Sequence, residues 1–264
     1  MSENPKGFAL VTGASAGIGA VYADRLARRG YDLILVARRQ DRLRTLADRI
    51  IADTGRKVEL VVADLSNAPD LKRVEDTLRN DARISLLVNN AGLAAVTPLL
   101  HTNVDQMSEL LKLNVDALTR LTYAVAPRFV EQGSGTIINI ASAVAIGPET
   151  LNGVYGASKA FVLALSQSLK HELADKGVRI QVVLPGATAT DIWANAGLPV
   201  ENLPKEIVMS TDAMVDAALA GLDQGEFATV PALAELAEWD NFESERKKLA
   251  QKLSRSEPAR RYVQ

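Results

Sequence analysis

The stretch GFALVTGASAGIG, residues 7–19, decides the fold class of this chain. An apolar run at 7–11 predicts a strand, and the segment 18–29 has the periodicity of a helix. Between them lies a turn with the spacing G-x-x-x-G-x-G, formed by Gly13, Gly17 and Gly19. Glycines let the backbone approach a pyrophosphate, and a helix N-terminus attracts anions. The order strand, glycine turn and helix therefore indicates a dinucleotide site rather than a plain connecting turn.

The same alternation of strand and helix continues outward from this stretch. Further aliphatic strands are predicted at 31–37, 58–62, 84–88, 136–140, 179–184 and 227–231, and helices at 41–53, 69–79, 103–130, 154–176, 211–222 and 235–253. Strands that are apolar throughout and separated by helices are typical of a parallel sheet covered on both faces. Residues 187–209 contain Gly197, Pro199 and Pro204 without a regular period, which predicts a long loop or lid. We predict one α/β domain over residues 1–264, with the lid at 187–209 and a C-terminal helix at 235–253.

Composition excludes several classes of function. The 264 residues include no cysteine, which rules out disulfide frameworks, thiolate metal sites and thiol nucleophiles. Thirty Lys and Arg against 32 Asp and Glu give a formal charge of −2, without the basic excess that binding to nucleic acid requires. The two histidines have no metal-ligand spacing, so we expect no metal site. Neither a signal peptide nor a membrane-length apolar run is present, and we expect a cytoplasmic protein without membrane or nucleic-acid partners.

A second group of residues carries reactive chemistry. Tyr155 and Lys159 in YGASK are four residues apart, which places both side chains on one face of the predicted helix. A phenol exchanges protons poorly at neutral pH unless a nearby cation stabilises the phenolate, and Lys159 offers that charge. Ser142 ends the predicted strand 136–140 at its carboxyl edge, where open α/β sheets bind ligands. This juxtaposition favours a catalytic role over a solvated helix face.

Together these motifs resemble the short-chain dehydrogenase/reductase family. The resemblance rests on TGASAGIG, on NNAG at 89–92, on Asn114, on Ser142 and on YGASK at 155–159, in the family's order. It covers about residues 7–190 and weakens beyond them. It implies a Rossmann-like, doubly wound parallel sheet of about seven strands with helices on both faces. The implied reaction is reversible hydride transfer between a nicotinamide cofactor and a carbonyl or alcohol.

The resemblance also implies roles for individual residues. Tyr155 would be the general acid/base that protonates the carbonyl oxygen, and Ser142 would hydrogen-bond the same oxygen. Lys159 would lower the pKa of Tyr155 and hold the ribose hydroxyls of the nicotinamide half. Asn114 would position a water that connects Lys159 to solvent. The implied cofactor contacts, besides Tyr155 and Lys159, are Gly13, Ser15, Gly17, Ile18, Gly19, Arg38, Arg39, Asp64, Leu65, Asn90, Ala91, Gly92, Pro185, Gly186, Thr188 and Thr190.

The residues after the second strand favour NADP(H) over NAD(H). NAD enzymes of this fold usually place a carboxylate there to bind the ribose, and this chain has Ala37 at that position. Arg38 and Arg39 follow, and guanidinium groups bind phosphate oxygens through charge-assisted hydrogen bonds. Ser15 adds a hydroxyl donor. The alternative is that both arginines are a solvated entry to the next helix.

Substrate, assembly and lid are predicted more coarsely. Residues 93–96, 143–147, 151 and 192–203 are expected to face the substrate; they are mostly aliphatic, which favours a small, neutral and fairly apolar carbonyl or alcohol compound. Trp193 either closes over the substrate or packs within the lid.

Two other functions stay open: a catalytically silent NADP(H)-sensing regulator of the same fold, and a sugar-nucleotide epimerase or dehydratase. Apolar residues on more than one face of helices 103–130 and 154–176 predict a homodimer or homotetramer.

Overall fold

The computed structural model describes residues 6–263 and contains one seven-stranded parallel sheet. The strands, in the order β3-β2-β1-β4-β5-β6-β7, are β1 (Phe8–Thr12), β2 (Asp32–Ala37), β3 (Val58–Val62), β4 (Ile84–Asn89), β5 (Gly135–Ile140), β6 (Val178–Val183) and β7 (Ala228–Thr229). The order reverses between β1 and β4. In doubly wound folds a crevice opens at the carboxyl ends of the strands at such a reversal.

Helices cover both faces of the sheet, as the apolar strands predict. Up to residue 231 the helices are α1 (Gly17–Arg28), α2 (Gln40–Thr54), α3 (Ala68–Asn80), α4 (Val104–Leu111), α5 (Leu118–Glu131), α6 (Gly153–Leu173), α7 (Ile192–Asn195) and α8 (Thr211–Gln224), and a further helix, α9 (Leu236–Ala250), follows in the chain. Because strand side chains alternate, Ala9 and Val11 of β1 pack against α1 and α8, whereas Phe8 and Leu10 face α3 and α5. The sheet thus separates two apolar cores. The predicted fold class is confirmed.

Two predicted elements differ from the structure. The helix predicted at 103–130 is α4 and α5 joined by a π-helical turn, Lys112–Ala117, a widened turn that apolar periodicity does not reveal. The lid predicted as irregular contains α7 and 3₁₀ turns at Val200–Asn202 and Lys205–Ile207. Its two ends are held together by hydrogen bonds from Ala189 N–H to the Met209 carbonyl and from Met209 N–H to the Ala187 carbonyl, both 2.9 Å long.

The chain divides into two compact units. The first runs to Pro231 and contains the whole sheet together with α1–α8; the second begins at Ala232 and contains α9. Within the second unit, the rings of Trp239 and Phe242 lie 5.5 Å apart. Whether both units fold as one domain, as the sequence predicts, stays a prediction. Between residues 6 and 263, no helix is long and apolar enough to cross a bilayer.

Candidate functional site

The glycine-rich turn brings the end of β1 close to the turn after β4. Gly13 has a φ of 66°, and a β-carbon at Gly19 would lie 2.5 Å from the Gly13 carbonyl oxygen, so a side chain fits at neither position. The Thr12 hydroxyl accepts hydrogen bonds from the N–H groups of Asn90 and Ala91, each at 3.0 Å. Helix α1 begins at Gly17, and its N-cap residue Ala16 makes no side-chain hydrogen bond. The N-cap side chain therefore occupies none of the first-turn N–H groups of α1, and these groups can bind an anion.

A small cavity lies beside this turn. It has a volume of about 110 Å³ and is lined by Gly13, Ser15, Val36, Ala37, Arg38, Arg39, Ala63, Asp64, Leu65, Ala91, Gly92, Leu93 and Leu113. Besides Ala37, eight of these residues are cofactor contacts predicted from the sequence. Arg38 and Arg39 are exposed at its rim, and the Arg38 guanidinium lies 3.9 Å from the Asp64 carboxylate. At that distance the pair is weak, so Arg38 remains available to a phosphate.

A larger cavity of about 330 Å³ lies at the carboxyl ends of β4, β5 and β6. Its walls are Ile18, Asn90, Gly92, Ile140, Ala141, Ser142, Ala143, Val144, Thr150, Leu151, Tyr155, Lys159, Pro185, Gly186, Ala187, Thr188, Thr190, Ile192, Trp193, Leu203 and Ile207. Gly92 lines both cavities. A β-carbon there would lie 3.1 Å from the Asn114 side-chain oxygen, so the absence of a side chain keeps this junction open.

The residues of the two cavities fit an extended dinucleotide. Arginines stand at one end, uncapped helix amides and glycines in the middle, and Tyr155 with Lys159 at the other end. The larger cavity is lined by four further residues that the resemblance implies as cofactor contacts, Pro185, Gly186, Thr188 and Thr190. Gly17 lies under Thr190, since a β-carbon at Gly17 would be 3.0 Å from the Thr190 methyl group. Every predicted cofactor residue except Gly17 and Gly19 lines one of the two cavities, and those two shape the turn itself.

The reactive side chains converge in the larger cavity. Tyr155 and Lys159 are both buried, at 8% and 7% exposure, in the first half of α6. The Lys159 ammonium lies 5.9 Å from the centre of the Tyr155 ring and donates a 3.0 Å hydrogen bond to the Ile140 carbonyl. The Ser142 hydroxyl donates to the Pro185 carbonyl at 3.3 Å. Among the described residues that line this cavity, Tyr155 and Lys159 are the ionisable ones.

Burial governs the ionisation of both groups. It raises the pKa of the Tyr155 phenol, and a hydrogen bond with Ser142 opposes the rise. Burial also lowers the pKa of Lys159 to about 8. Both shifts have the same physical cause, because both groups lose solvent on burial. That Lys159 lowers the pKa of Tyr155, as the resemblance implies, stays a prediction.

Asn114 sits in the π-helical turn and holds the segment after β4. Its side-chain amide donates to the Leu93 carbonyl at 2.9 Å and to the Ser158 hydroxyl at 3.1 Å, and its side-chain oxygen accepts from the Leu93 N–H at 2.8 Å. The side chain thus fixes the wall next to Gly92. A water relay at Asn114 stays a prediction.

Some expected substrate contacts lie elsewhere. Leu93 lines the smaller cavity, while Ala94 and Ala95 pack in an apolar cluster with Leu110 of α4 and Tyr155. Val96 lines neither cavity. Conversely, Thr150 and Ile207 line the cavity without any sequence motif that marks them, because each ends a short 3₁₀ turn that reaches the cavity only through the fold. Trp193 lines the cavity, and its indole N–H donates to the Thr188 carbonyl at 2.9 Å.

Comparison with known proteins agrees with this geometry. The sequence profile described as short chain dehydrogenase matches residues 7–199. A solved structure of a short-chain dehydrogenase from Sphingobium yanoikuyae in complex with NADPH is 48% identical, with a TM-score of 0.93 over 96% of this chain and 98% of its own. The bulky-bulky ketone specific alcohol dehydrogenase from Comamonas testosteroni is 41% identical, with a TM-score of 0.90 over 98% of this chain and 99% of its own.

A curated relative is more distant. Human 17-beta-hydroxysteroid dehydrogenase type 3 is 35% identical over 185 residues, which are 69% of this chain and 59% of that protein. This chain thus spans less than two thirds of the length of that relative. The family profile, the fold and the two cavities all agree, and this chain belongs to the short-chain dehydrogenase/reductase family.

Proposed function

We propose that this chain catalyses NADP(H)-dependent reduction of neutral, apolar ketones, bulkier than the small compounds expected from the sequence, and the reverse oxidation of the corresponding alcohols. The observation that carries the proposal is the larger cavity, which joins Ser142, Tyr155 and Lys159 to walls without another charged side chain. A buried carboxylate or phosphate would need a cation to offset its lost hydration, and Lys159 already serves the reaction centre. The neighbour from Comamonas testosteroni, described as specific for bulky-bulky ketones, supports the same substrate class.

The mechanism follows from the positions of three side chains. A bound nicotinamide supplies or accepts the hydride. In the reducing direction the Tyr155 hydroxyl donates its proton to the carbonyl oxygen, which becomes the alcohol oxygen. Ser142 donates a hydrogen bond to the same oxygen and stabilises its developing negative charge. Lys159, largely protonated below its pKa of about 8, stabilises the resulting phenolate. Because burial raises the pKa of Tyr155, the phenol is protonated at neutral pH and ready to donate.

The preference for NADP(H) is part of the proposal. Arg38, Arg39 and Ser15 surround the small cavity, and Ala37 supplies no carboxylate that would repel a 2′-phosphate. The Sphingobium neighbour is described as a complex with NADPH. We further propose that copies of the chain associate through the exposed apolar side chains of α4, α5 and α6.

The decisive experiment compares Tyr155→Phe with the wild type. Consumption of NADPH is followed with a panel of aryl and branched ketones, and NADPH binding is titrated separately. Turnover should fall by about two to four orders of magnitude because the proton donor is lost. NADPH affinity should stay within about twofold. Tyr123→Phe, an exposed tyrosine on α5, is the matched control and should retain full turnover.

Three outcomes are informative. Near-normal turnover of Tyr155→Phe refutes the catalytic assignment. Tight NADPH binding by the wild type without turnover of any ketone would indicate the regulatory alternative, which the complete set of reactive side chains does not favour. A wild type that turns over charged keto acids as fast as bulky neutral ketones refutes the substrate class.

A further inference from the structure

Asn152 caps the helix that carries the proposed proton donor. It precedes α6 and is buried, at 4% exposure. Its side-chain oxygen accepts hydrogen bonds from the N–H groups of Val154 at 2.9 Å and Tyr155 at 3.4 Å. Tyr155 is the third residue of α6, so its backbone is part of the capped turn. Helix ends fray unless such a cap satisfies their free amides.

The other end of the Asn152 side chain reaches a different element. Its amide nitrogen donates to the Thr97 carbonyl at 2.6 Å and to the Thr102 hydroxyl at 3.4 Å. The oxygen of that hydroxyl lies 2.8 Å from the carbonyl oxygens of both Thr97 and Pro98, which share its single proton. Residues 97–102 connect β4 to α4. One side chain therefore joins the start of α6 to the segment after β4.

Capping alone does not require asparagine. Ser, Thr and Asp cap helices about as well, because each offers an oxygen to the first-turn amides. Asparagine also supplies two N–H donors on an atom separate from the capping oxygen, whereas Ser and Thr have one hydroxyl for both purposes and ionised Asp has no donor. Here both functions are used at once, the oxygen toward α6 and the nitrogen toward Thr97.

We propose that Asn152 is a positioning residue for Tyr155: by joining the first turn of α6 to the 97–102 segment, it fixes the phenol relative to Ser142 and the substrate carbonyl. The proposal rests on the proposed function, in which Tyr155 donates the proton. A displacement of about 1 Å in a reacting group can lower a rate by about a hundredfold. Loss of the link should therefore lower kcat and leave the binding of NADPH intact.

The test removes one end of the link at a time. Asn152→Ser retains an oxygen for the helix cap and loses the donors to Thr97, and Asn152→Ala loses both. We expect kcat for ketone reduction to fall about 10- to 100-fold in both variants, with NADPH Kd within about twofold of wild type. Asn103→Ser is the matched control, since Asn103 caps α4 by accepting from the Asp105 N–H at 2.7 Å and is exposed. It should leave kcat within about twofold.

A second measurement separates positioning from general damage. In a Tyr155→Phe background the donor is absent, so Asn152→Ser should lower the residual kcat by less than about twofold. If the full 10- to 100-fold loss persists in that background, Asn152 acts on the whole site and the proposal is wrong. A kcat of Asn152→Ser within twofold of wild type also overturns it.

Amide hydrogen exchange tests the link without turnover. In the free protein, exchange at Tyr155 and Gly156 should be faster in Asn152→Ser than in wild type, because the capped turn is no longer held to residues 97–102. Unchanged exchange contradicts the proposal. If the wild type reduces no ketone, the proposed function fails, while exchange still decides whether the link holds the helix. If Asn152→Ser does not fold, Thr102→Val is used, and both unchanged exchange and unchanged kcat then overturn the proposal.

Discussion

At the scale of single residues, the site places two ionisable side chains where neither is readily charged. Burial raises the pKa of Tyr155 and lowers that of Lys159 to about 8. Each change favours the neutral form, which is the physical effect of low solvent access. A buried lysine with a lowered pKa destabilises the folded protein at neutral pH, a cost that its proposed role in catalysis would explain. The free energy of unfolding should therefore increase when an apolar side chain replaces Lys159.

Lys159→Met should stabilise the protein and abolish turnover. A pKa lowered from 10.5 to about 8 corresponds to about 3 kcal/mol at neutral pH, from which loss of the hydrogen bond to Ile140 removes about 1 kcal/mol. The unfolded state binds the proton more tightly, so wild-type stability rises from about pH 8 toward pH 10.5. Denaturation of both proteins without cofactor should show a gap of about 2 kcal/mol at pH 7 that narrows above pH 8.

The control for this prediction is Lys176→Met, an exposed lysine just after α6. It should change the free energy of unfolding by less than about 0.5 kcal/mol at any of these pH values. If the Lys159→Met variant is less stable than wild type at pH 7, the ammonium stabilises the fold, which contradicts the lowered pKa of Lys159.

Arg38→Ala should weaken NADPH binding and leave NADH binding nearly unchanged. A charge-assisted contact to the 2′-phosphate contributes about 1.5 to 3 kcal/mol, or about ten- to a hundredfold in affinity. Arg44→Ala, an exposed arginine on α2 that lines neither cavity, is the matched control and should leave both affinities unchanged. The measurement is titration with each cofactor. A wild type that binds NADH more tightly than NADPH contradicts the cofactor preference.

Residues within motifs could be identified from the sequence, whereas those defined by long-range contacts could not. The sequence spacing of Ser142, Tyr155 and Lys159 is sufficient to predict their convergence, which the structure shows in one cavity. The role of Asn152 depends on a segment 55 residues earlier in the chain. Ile207 likewise reaches the cavity only because the two ends of the lid are joined.

At the scale of elements, apolar runs predict strands better than they predict helix irregularities. The predicted strand 58–62 matches β3, and the other predicted strands overlap the observed ones. A short run that is apolar at every position predicts a strand of a parallel sheet, because helices bury both faces of such a sheet. The π-helical turn between α4 and α5 contains one residue more than an α-helical turn. Apolar residues continue through it, so the periodicity of the sequence does not reveal the turn.

The lid should become more protected when cofactor and substrate bind. Its ends are paired near Thr188 and Met209, but the segment between them consists of α7 and short 3₁₀ turns. Such short helices have few internal hydrogen bonds and open readily. Trp193 donates a hydrogen bond to the Thr188 carbonyl and lines the larger cavity, so closure of the lid there would exclude water from hydride transfer. Hydrogen exchange over residues 190–209 should slow with NADPH and a ketone. Equal exchange with and without ligands contradicts gating.

At the scale of the whole molecule, the apolar surface of α4, α5 and α6 bears on the proposed association of copies of the chain. The apolar residues of the predicted long helix divide in the structure into two sets. Leu110, Leu118, Leu121, Val125 and Phe129 are buried, whereas Val104 is 74% exposed and Leu111 41% exposed. Tyr123 on α5 and Phe161 on α6 are 65% and 39% exposed. The surplus of apolar surface on these helices is therefore smaller than periodicity predicted, but it is present.

We expect the wild type to form a dimer or tetramer through this surface. A specific interface buries at least about 1,000 Å² in total, and a central apolar group surrounded by polar residues is its usual form. Leu111→Glu combined with Tyr123→Glu places charges in that group and should shift the protein toward the 28.3 kDa monomer. Ile51→Glu changes a residue on α2 with 45% exposure and is the matched control, because α2 lies outside the proposed interface. Light scattering at micromolar concentration measures all three proteins. A wild type that is already monomeric contradicts the prediction, and a dimer that persists in the double variant places the interface on another face.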